Sequence, residues 1–310
     1  MLLTGIFPIR FSRYVAIRGP YFLILILIFS SCAAPGSTGS DQQAKTRVPL
    51  GTATLSPAQV DATEGAIVQA TRRVQATLDA QSTAESQLVT ATAARQLTQQ
   101  AAEKALLQLK AQQLAAAQAN WQPVLNDSFT DNSLGWPQGP KEDDSLAITT
   151  LIDGGKYLWT VVDARHGNSY WNLTPANGKV FDDFYASVSL EFMRGEQDGH
   201  YAYGLVFRHV KDDYGFFGLR NDGHFQVLAV FDTGIYQDIV MSSDAILPDQ
   251  PNQIEVRGSG SDFIFLINGQ PVWYLNEDFP PGEIGLGVEV MVKGAPAQVA
   301  FTDFVITASK

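Results

Sequence analysis

From Pro35 to Asn120 the chain contains no Phe, Tyr or Trp, and from Trp121 onward it is dense with all three. Aromatic rings supply much of the apolar area that a compact core buries. The first stretch is left with Ala, Gln, Thr and scattered Leu, which favour a helix over a globular core. The second has the material for a core of its own. The chain therefore divides into two chemically different halves, and each must be read by its own grammar.

Residues 1–31 carry Arg10, Arg13 and Arg18 and no acidic residue. A Gly19-Pro20 break follows, and then the nine-residue apolar run from Tyr21 to Phe29. A basic flank, a short apolar core and the small residues Ser30-Ser31 make a secretory signal. The run is well short of the ~20 residues that span a bilayer. Cys32 is the single cysteine of the chain, so it has no internal disulfide partner. The segment Phe29-Ser30-Ser31-Cys32 resembles the lipobox of bacterial lipoproteins, with Phe29 where that family usually has Leu. The resemblance implies lipidation of Cys32, which becomes the mature N-terminus, and an exported chain anchored to the outer face of a bacterial membrane. Without residues 1–31 the chain has 18 basic against 32 acidic residues, a net charge of −14. That charge argues against nucleic acid as a partner and against docking on anionic headgroups.

Residues 32–55 are rich in Pro, Gly, Ser and Thr without periodicity, and read as a flexible tether. A helix then starts with agreeing signals. Ser56 suits the N-cap, Pro57 the first helical position and Gln59 a capping box, with Leu55 and Val60 placed for a hydrophobic staple. The Ala- and Gln-rich text of the 56–120 stalk predicts a helix of about 95 Å at 1.5 Å per residue. Every seventh residue from Ile67 is apolar at six of eight positions (Ile67, Val74, Leu88, Ala102, Leu109 and Ala116, with Gln81 and Arg95 breaking the series). The companion series Thr71, Leu78, Glu85, Thr92, Gln99, Leu106 and Gln113 is apolar at two of seven. A coiled coil wants both series apolar, so self-association through the stalk and a solitary solvated helix both stand open.

Trp121-Gln122-Pro123 stops the helix, and residues 121–310 read as short strands. Segments 148–152 and 156–162 flank Asp153-Gly154-Gly155, a hairpin signal. Strands follow at 184–193, 201–209, 214–219, 224–231, 253–257, 263–267, 272–275, 285–292 and 299–306, the Asn268-Gly269 turn among them. Many short strands at regular spacing predict an all-β jelly-roll sandwich behind a long helical stalk. Because composition and periodicity both change between Asn120 and Leu125, the 121–310 segment is expected to fold on its own.

Asp127-Ser128-Phe129 followed by Trp136 resembles the opening of concanavalin A-like domains of the laminin G and glycoside hydrolase family 16 type. Bacterial 3-keto-disaccharide hydrolase-like domains are closer still. Their pattern is echoed in Asp183-Phe184, in the strand from Tyr203 to Arg208 and in Tyr214-Gly215-Phe216-Phe217. It continues in Phe265-Leu266-Ile267-Asn268-Gly269, Gly285-Leu286-Gly287 and Phe301-Thr302-Asp303-Phe304. The resemblance covers about residues 125–307 and implies a fold shared by sugar hydrolases, lectins and adhesion modules. Family 16 carries its carboxylates as Glu-x-Asp-x-x-Glu on one strand. Here the corresponding strand has the single acid Glu191, read as an edge or surface residue, so family 16 hydrolysis is not expected.

Three functions remain in play: a non-catalytic lectin-like module, a glycan-cleaving enzyme of the 3-keto-disaccharide type, and an adhesion protein whose partner is another protein. Glycan recognition uses rings that stack on sugar C–H faces and planar groups that bond the hydroxyls. Alternation puts Tyr201, Tyr203, Leu205 and Phe207 on one face of their strand, with Ala202, Gly204, Val206 and Arg208 on the other. Small residues ending in an Arg suit a groove floor, and Trp159, Tyr170 and Trp171 are candidate stacking walls. Were Arg208 buried instead, Glu191 would be its expected partner. The four histidines show no metal spacing. The acid-bearing turns Asp131-Asn132 and Asp212-Asp213 offer oxygen ligands of the kind Ca²⁺ takes, or serve as plain turn chemistry.

Overall fold

The computed structural model describes residues 56–142, 146–164, 168–173, 179–195, 200–232, 234–291 and 296–309. Cys32, the apolar run before it and the 32–55 tether lie outside them. Helix α1 (Pro57–Gln118) starts where the sequence places it, and the Ser56 carbonyl accepts the Val60 N–H at 3.1 Å. Every described residue in 60–106 is exposed. Thr71, Thr77, Thr83, Ser86, Thr90, Thr92 and Thr98 donate their hydroxyls to carbonyls four residues back, at 2.8–2.9 Å. The helix thus satisfies these hydroxyls itself, which is how it tolerates so much Thr. No helix among the described residues is long and apolar enough to cross a membrane.

The strands are β1 (Gln122–Asp127), β2 (Gly139–Glu142), β3 (Leu146–Asp153), β4 (Lys156–Ala164), β5 (Asn168–Leu173), β6 (Phe184–Arg194), β7 (Tyr201–Val210) and β8 (Asp213–Arg220). They continue with β9 (His224–Phe231), β10 (Gly234–Ser242), β11 (Asn252–Ser259), β12 (Asp262–Ile267), β13 (Gln270–Asn276), β14 (Glu283–Val290) and β15 (Ala297–Ala308). They form two antiparallel sheets, the jelly-roll sandwich expected. One runs β13-β12-β11-β6-β15-β4-β3-β2 with β1 added on β15, and the other β10-β9-β8-β7-β14-β5. The anticipated turns hold the registers. Gly154 and Gly155 (φ 57° and 76°) close β3 on β4, and Asn268 and Gly269 (φ 50° and 74°) close β12 on β13. Both pairs sit in the left-handed region that tight hairpin turns require.

The Asp127…Trp136 opening has a clear physical role. Asp127 accepts the Phe129 N–H at 2.8 Å and the Trp136 indole N–H at 2.7 Å, one on each carboxylate oxygen. That fixes Phe129 and Trp136 against Tyr157 and closes one side of the core. Between the sheets, Phe184, Phe207, Phe217, Phe263 and Phe265 fill the other side, all buried.

Strand β12 is buried on both faces. Phe263, Phe265 and Ile267 point into the sandwich, while Ile264 and Leu266 point outward and meet Leu107, Ala111 and Leu114 of α1. The Gln118 amide, one turn on, donates to the Phe184 carbonyl at 3.0 Å. From Gln99 onward the helix belongs to the same compact unit as the strands, and before Gln99 to another. The last turns of the helix cover a sheet face that would otherwise be apolar and wet.

Strands β7 and β8 approach unusually closely at Gly204. A methyl there would lie 2.1 Å from the Phe217 carbonyl oxygen and 2.5 Å from the Gly218 Cα. Because β8 is bonded to β9 on its other side, it has no room to retreat. Gly204→Ala is expected to cost about 3 kcal/mol or more, read as a lower denaturant midpoint. A midpoint near that of the parent chain would show that the strands yield.

Candidate functional site

Arg208 sits near the end of β7, where the register slips between Phe207 and Val210 against β8 and between Glu283 and Gly285 against β14. Its φ is 54°, the left-handed conformation of a bulge residue. A bulge re-aims its side chain, so alternation fails here. Arg208 does not share the outer face of Ala202, Gly204 and Val206. It turns toward the end of the sandwich and is 1% exposed.

The guanidinium spends its fork on the backbone. It donates to the Phe279 carbonyl at 3.0 Å, to the Gly260 carbonyl at 3.0 Å and to the Asp182 carbonyl. It pairs with Asp182 Oδ1 at 2.7 Å and lies 5.5 Å from the centroid of the Phe263 ring. Burial lowers its pKa, and the charges of Asp182, Asp183 and Asp278 oppose that shift. The carboxylate partner is thus Asp182, not Glu191. Glu191 lies on an interior strand and pairs with Lys156 at 2.6 Å.

Phe279, Gly260 and Asp182 come from three separate segments, and all three line one cleft of about 720 Å³. Asp182 closes one side, Gly260 and Ser261 the turn after β11, and Asn276, Glu277, Asp278, Phe279, Pro280 and Pro281 the rest. The volume falls in the range of small-ligand sites. Asn276 donates to Ser261 Oγ at 3.0 Å and to Asp262 Oδ1 at 2.9 Å, which fixes the amide that faces the cleft. The Tyr274 hydroxyl also donates to Asp262, and with Asn276 and Lys110 it holds that carboxyl below the usual carboxylate range. Pro280 and Pro281 are exposed apolar surface. The Phe279 ring is not, since it stacks on Phe231 at 5.1 Å within the core. The lining is rich in acceptors and carries three carboxylates, so it suits a polyhydroxylated, uncharged molecule better than an anion.

The other candidate residues lie elsewhere. Trp159 is fully buried, 5.1 Å from Phe301 and 5.6 Å from Tyr157, and is a core residue, not a stacking wall. Alternation along β4 puts it on the inner face with Tyr157 and Val161. Tyr170 and Trp171 pair with Val288 and Gly287 across β5 and β14, and their side chains lie outside the description. The face above Ala202 and Val206 is not a vacant groove floor, because Tyr214, Phe216, Leu228 and Val230 pack there as a second buried cluster. In the acid-bearing turns, Asp131 Oδ1 accepts the Ser133 N–H and Asp213 Oδ1 the Asp232 N–H, each at 2.8 Å. These carboxylates shape their turns. No group of three His, Cys, Asp or Glu placed to hold a metal occurs among the described residues.

No family model matches the chain, and no curated protein does. Solved structures are similar to part of it. The carbohydrate binding module CBM66 from Bacillus subtilis is 14% identical over 61% of this chain and 95% of its own, with a TM-score of 0.41. A Bacillus subtilis protein of unknown function with a galectin-like fold is 11% identical over 60% of this chain and 97% of its own, at 0.44. A Bacillus licheniformis β-glucanase is 8% identical over 60% of this chain and 98% of its own, at 0.44. At that distance the likeness carries no argument, and function must be argued from this chain's own residues.

The cleft has no signature in the sequence, because its walls come from positions 182, 260–261 and 276–281. The one local hint is the run Asn276-Glu277-Asp278-Phe279-Pro280-Pro281, polar and then rigid, which reads as a shaped loop rather than a strand.

Proposed function

We propose that this chain is an exported lipoprotein whose β-sandwich binds a neutral glycan, without cleaving it, in the cleft at the Arg208 end. The observation that carries this reading is the cleft itself. It is braced from below by a buried guanidinium, and it presents Asp278, Glu277, Asn276 and Ser261 beside an exposed proline pair. Planar amide and carboxylate groups accept and donate at sugar hydroxyls, and the prolines offer a flat apolar surface for C–H faces.

A chain beginning at Ala33 is expected to bind neutral oligosaccharides on a glycan array. Asp278→Ala should weaken that binding about 10–100-fold, the effect of one charged hydrogen bond. Its melting temperature should hardly change, because Asp278 is exposed. Binding confined to uronates or sulfated glycans, or undiminished in the variant, would refute the assignment.

Anchoring is proposed through Cys32. Cys32→Ser should abolish incorporation of a palmitate analogue in cells and release the chain from the membrane fraction. Equal label in both chains would end the lipoprotein reading.

A further inference from the structure

The Ser261–Asn276 wall of the cleft is tied to the helix through Asp262. Asn276 donates to Ser261 Oγ and Asp262 Oδ1, and the Glu277 N–H donates to the Ser261 carbonyl at 2.9 Å. The second oxygen of the same carboxylate, Asp262 Oδ2, faces the helix and lies 3.4 Å from Lys110 Nζ. Lys110 also stands 4.8 Å over the Tyr274 ring, whose hydroxyl donates to Asp262. One carboxylate therefore holds the cleft wall with one oxygen and α1 with the other.

The ammonium and the carboxylate are 27% and 37% exposed, and an isolated pair of that kind contributes little to stability. Here the apolar contact of Leu107, Ala111 and Leu114 with Ile264 and Leu266 already docks the helix. What remains for the polar chain is geometry. It ties the position of the docked turns to the position of the wall.

We propose that α1 is a working part of the cleft, with Lys110 and Asp262 as positioning residues that set its Ser261–Asn276 wall. The inference rests on the cleft being the binding site, and it adds that the stalk helix is more than a spacer. Docked and released helix ends are then two states with different walls. Whatever fills the cleft favours docking by the same factor as docking favours filling. A ligand on the head is thereby felt at the helix.

The test uses the full chain. Lys110→Met keeps the apolar stem while removing the charge. Amide exchange at Glu277 is expected to rise about tenfold with the variant, while exchange at Gly223, bonded to Arg220 in a remote turn, stays unchanged. Tyr274→Phe should give the same rise, and Lys110→Arg should restore the parent rate. Calorimetry with laminaripentaose, cellopentaose and chitopentaose should show weaker binding in Lys110→Met and recovery in Lys110→Arg. Unchanged exchange at Glu277, or an arginine variant no better than the methionine one, overturns the proposal. Raised exchange with no binding of any of the three sugars supports the link between helix and wall and tells against the glycan reading alone.

Discussion

A chain cut at Trp121 is expected to melt about 10–20 °C below one that begins at Gln99. The longer fragment keeps Leu107, Ala111 and Leu114 over Ile264 and Leu266, and the shorter one leaves that face of β12 in water. Side chains of this size contribute roughly 1.5–3 kcal/mol each when fully buried, and the shorter fragment newly exposes two of them, Ile264 and Leu266, so about 5 kcal/mol is at stake. Losing the Gln118 bond to Phe184 and the Lys110 pair adds a smaller share. The shorter fragment should also aggregate, because Ile264 and Leu266 sit beside β13, the outermost strand of its sheet. Equal melting temperatures for the two fragments would mean that the helix merely lies on the sheet.

That contact was written in the sequence and is easy to overlook. Phe263-Ile264-Phe265-Leu266-Ile267 is a continuous apolar run, where a strand with one wet face would alternate. Such a run demands cover on both sides, and the helix is what covers it. The same logic applies to the run from Phe225 to Phe231, interrupted only by Gln226, on a strand whose outer face joins the second buried cluster.

Elsewhere legibility followed burial. Strands with an inner face against the core, such as β6, β11 and β15, announced themselves by alternation, and their turns by Gly or Asn. The strands that the sequence pattern does not mark are β1, β2, β5 and β10. Strand β10 lies at a sheet edge with Ile235 and Tyr236 41% and 64% exposed, so no burial pattern marks it. Strand β2 is a four-residue edge strand containing Pro140, a residue that edges tolerate and interiors do not. Of the candidate site residues, Arg208 stands out in the sequence, but alternation gives it the wrong face. Alternation is a rule about regular strands, and nothing local in Phe207-Arg208-His209-Val210 marks the bulge that breaks it.

Arg208→Ala is the substitution with the largest expected effect at the cleft. The guanidinium is 1% exposed and serves acceptors on three segments, the Phe279, Gly260 and Asp182 carbonyls, together with the Asp182 carboxylate. Truncation leaves the buried Phe279 carbonyl without this donor, releases the Asp182 and Gly260 carbonyls and opens a void beside Phe263. Breaking a buried, hydrogen-bonded charge in this way costs about 3–5 kcal/mol. For a domain of this size that is a fall of roughly 10–15 °C in melting temperature. Asp182→Asn should cost far less, about 1 kcal/mol, because that carboxylate is 65% exposed and water screens it. Arg208→Lys should recover only part of the loss, since an ammonium on a single stem cannot reach three acceptors arranged for a planar fork. Sugar binding should vanish with the alanine variant even at temperatures where it remains folded, because the Asp182 side, the Gly260 turn and the Phe279 loop no longer share an anchor. An Arg208→Ala chain that melts within about 3 °C of the parent would show a solvent-facing arm rather than a brace.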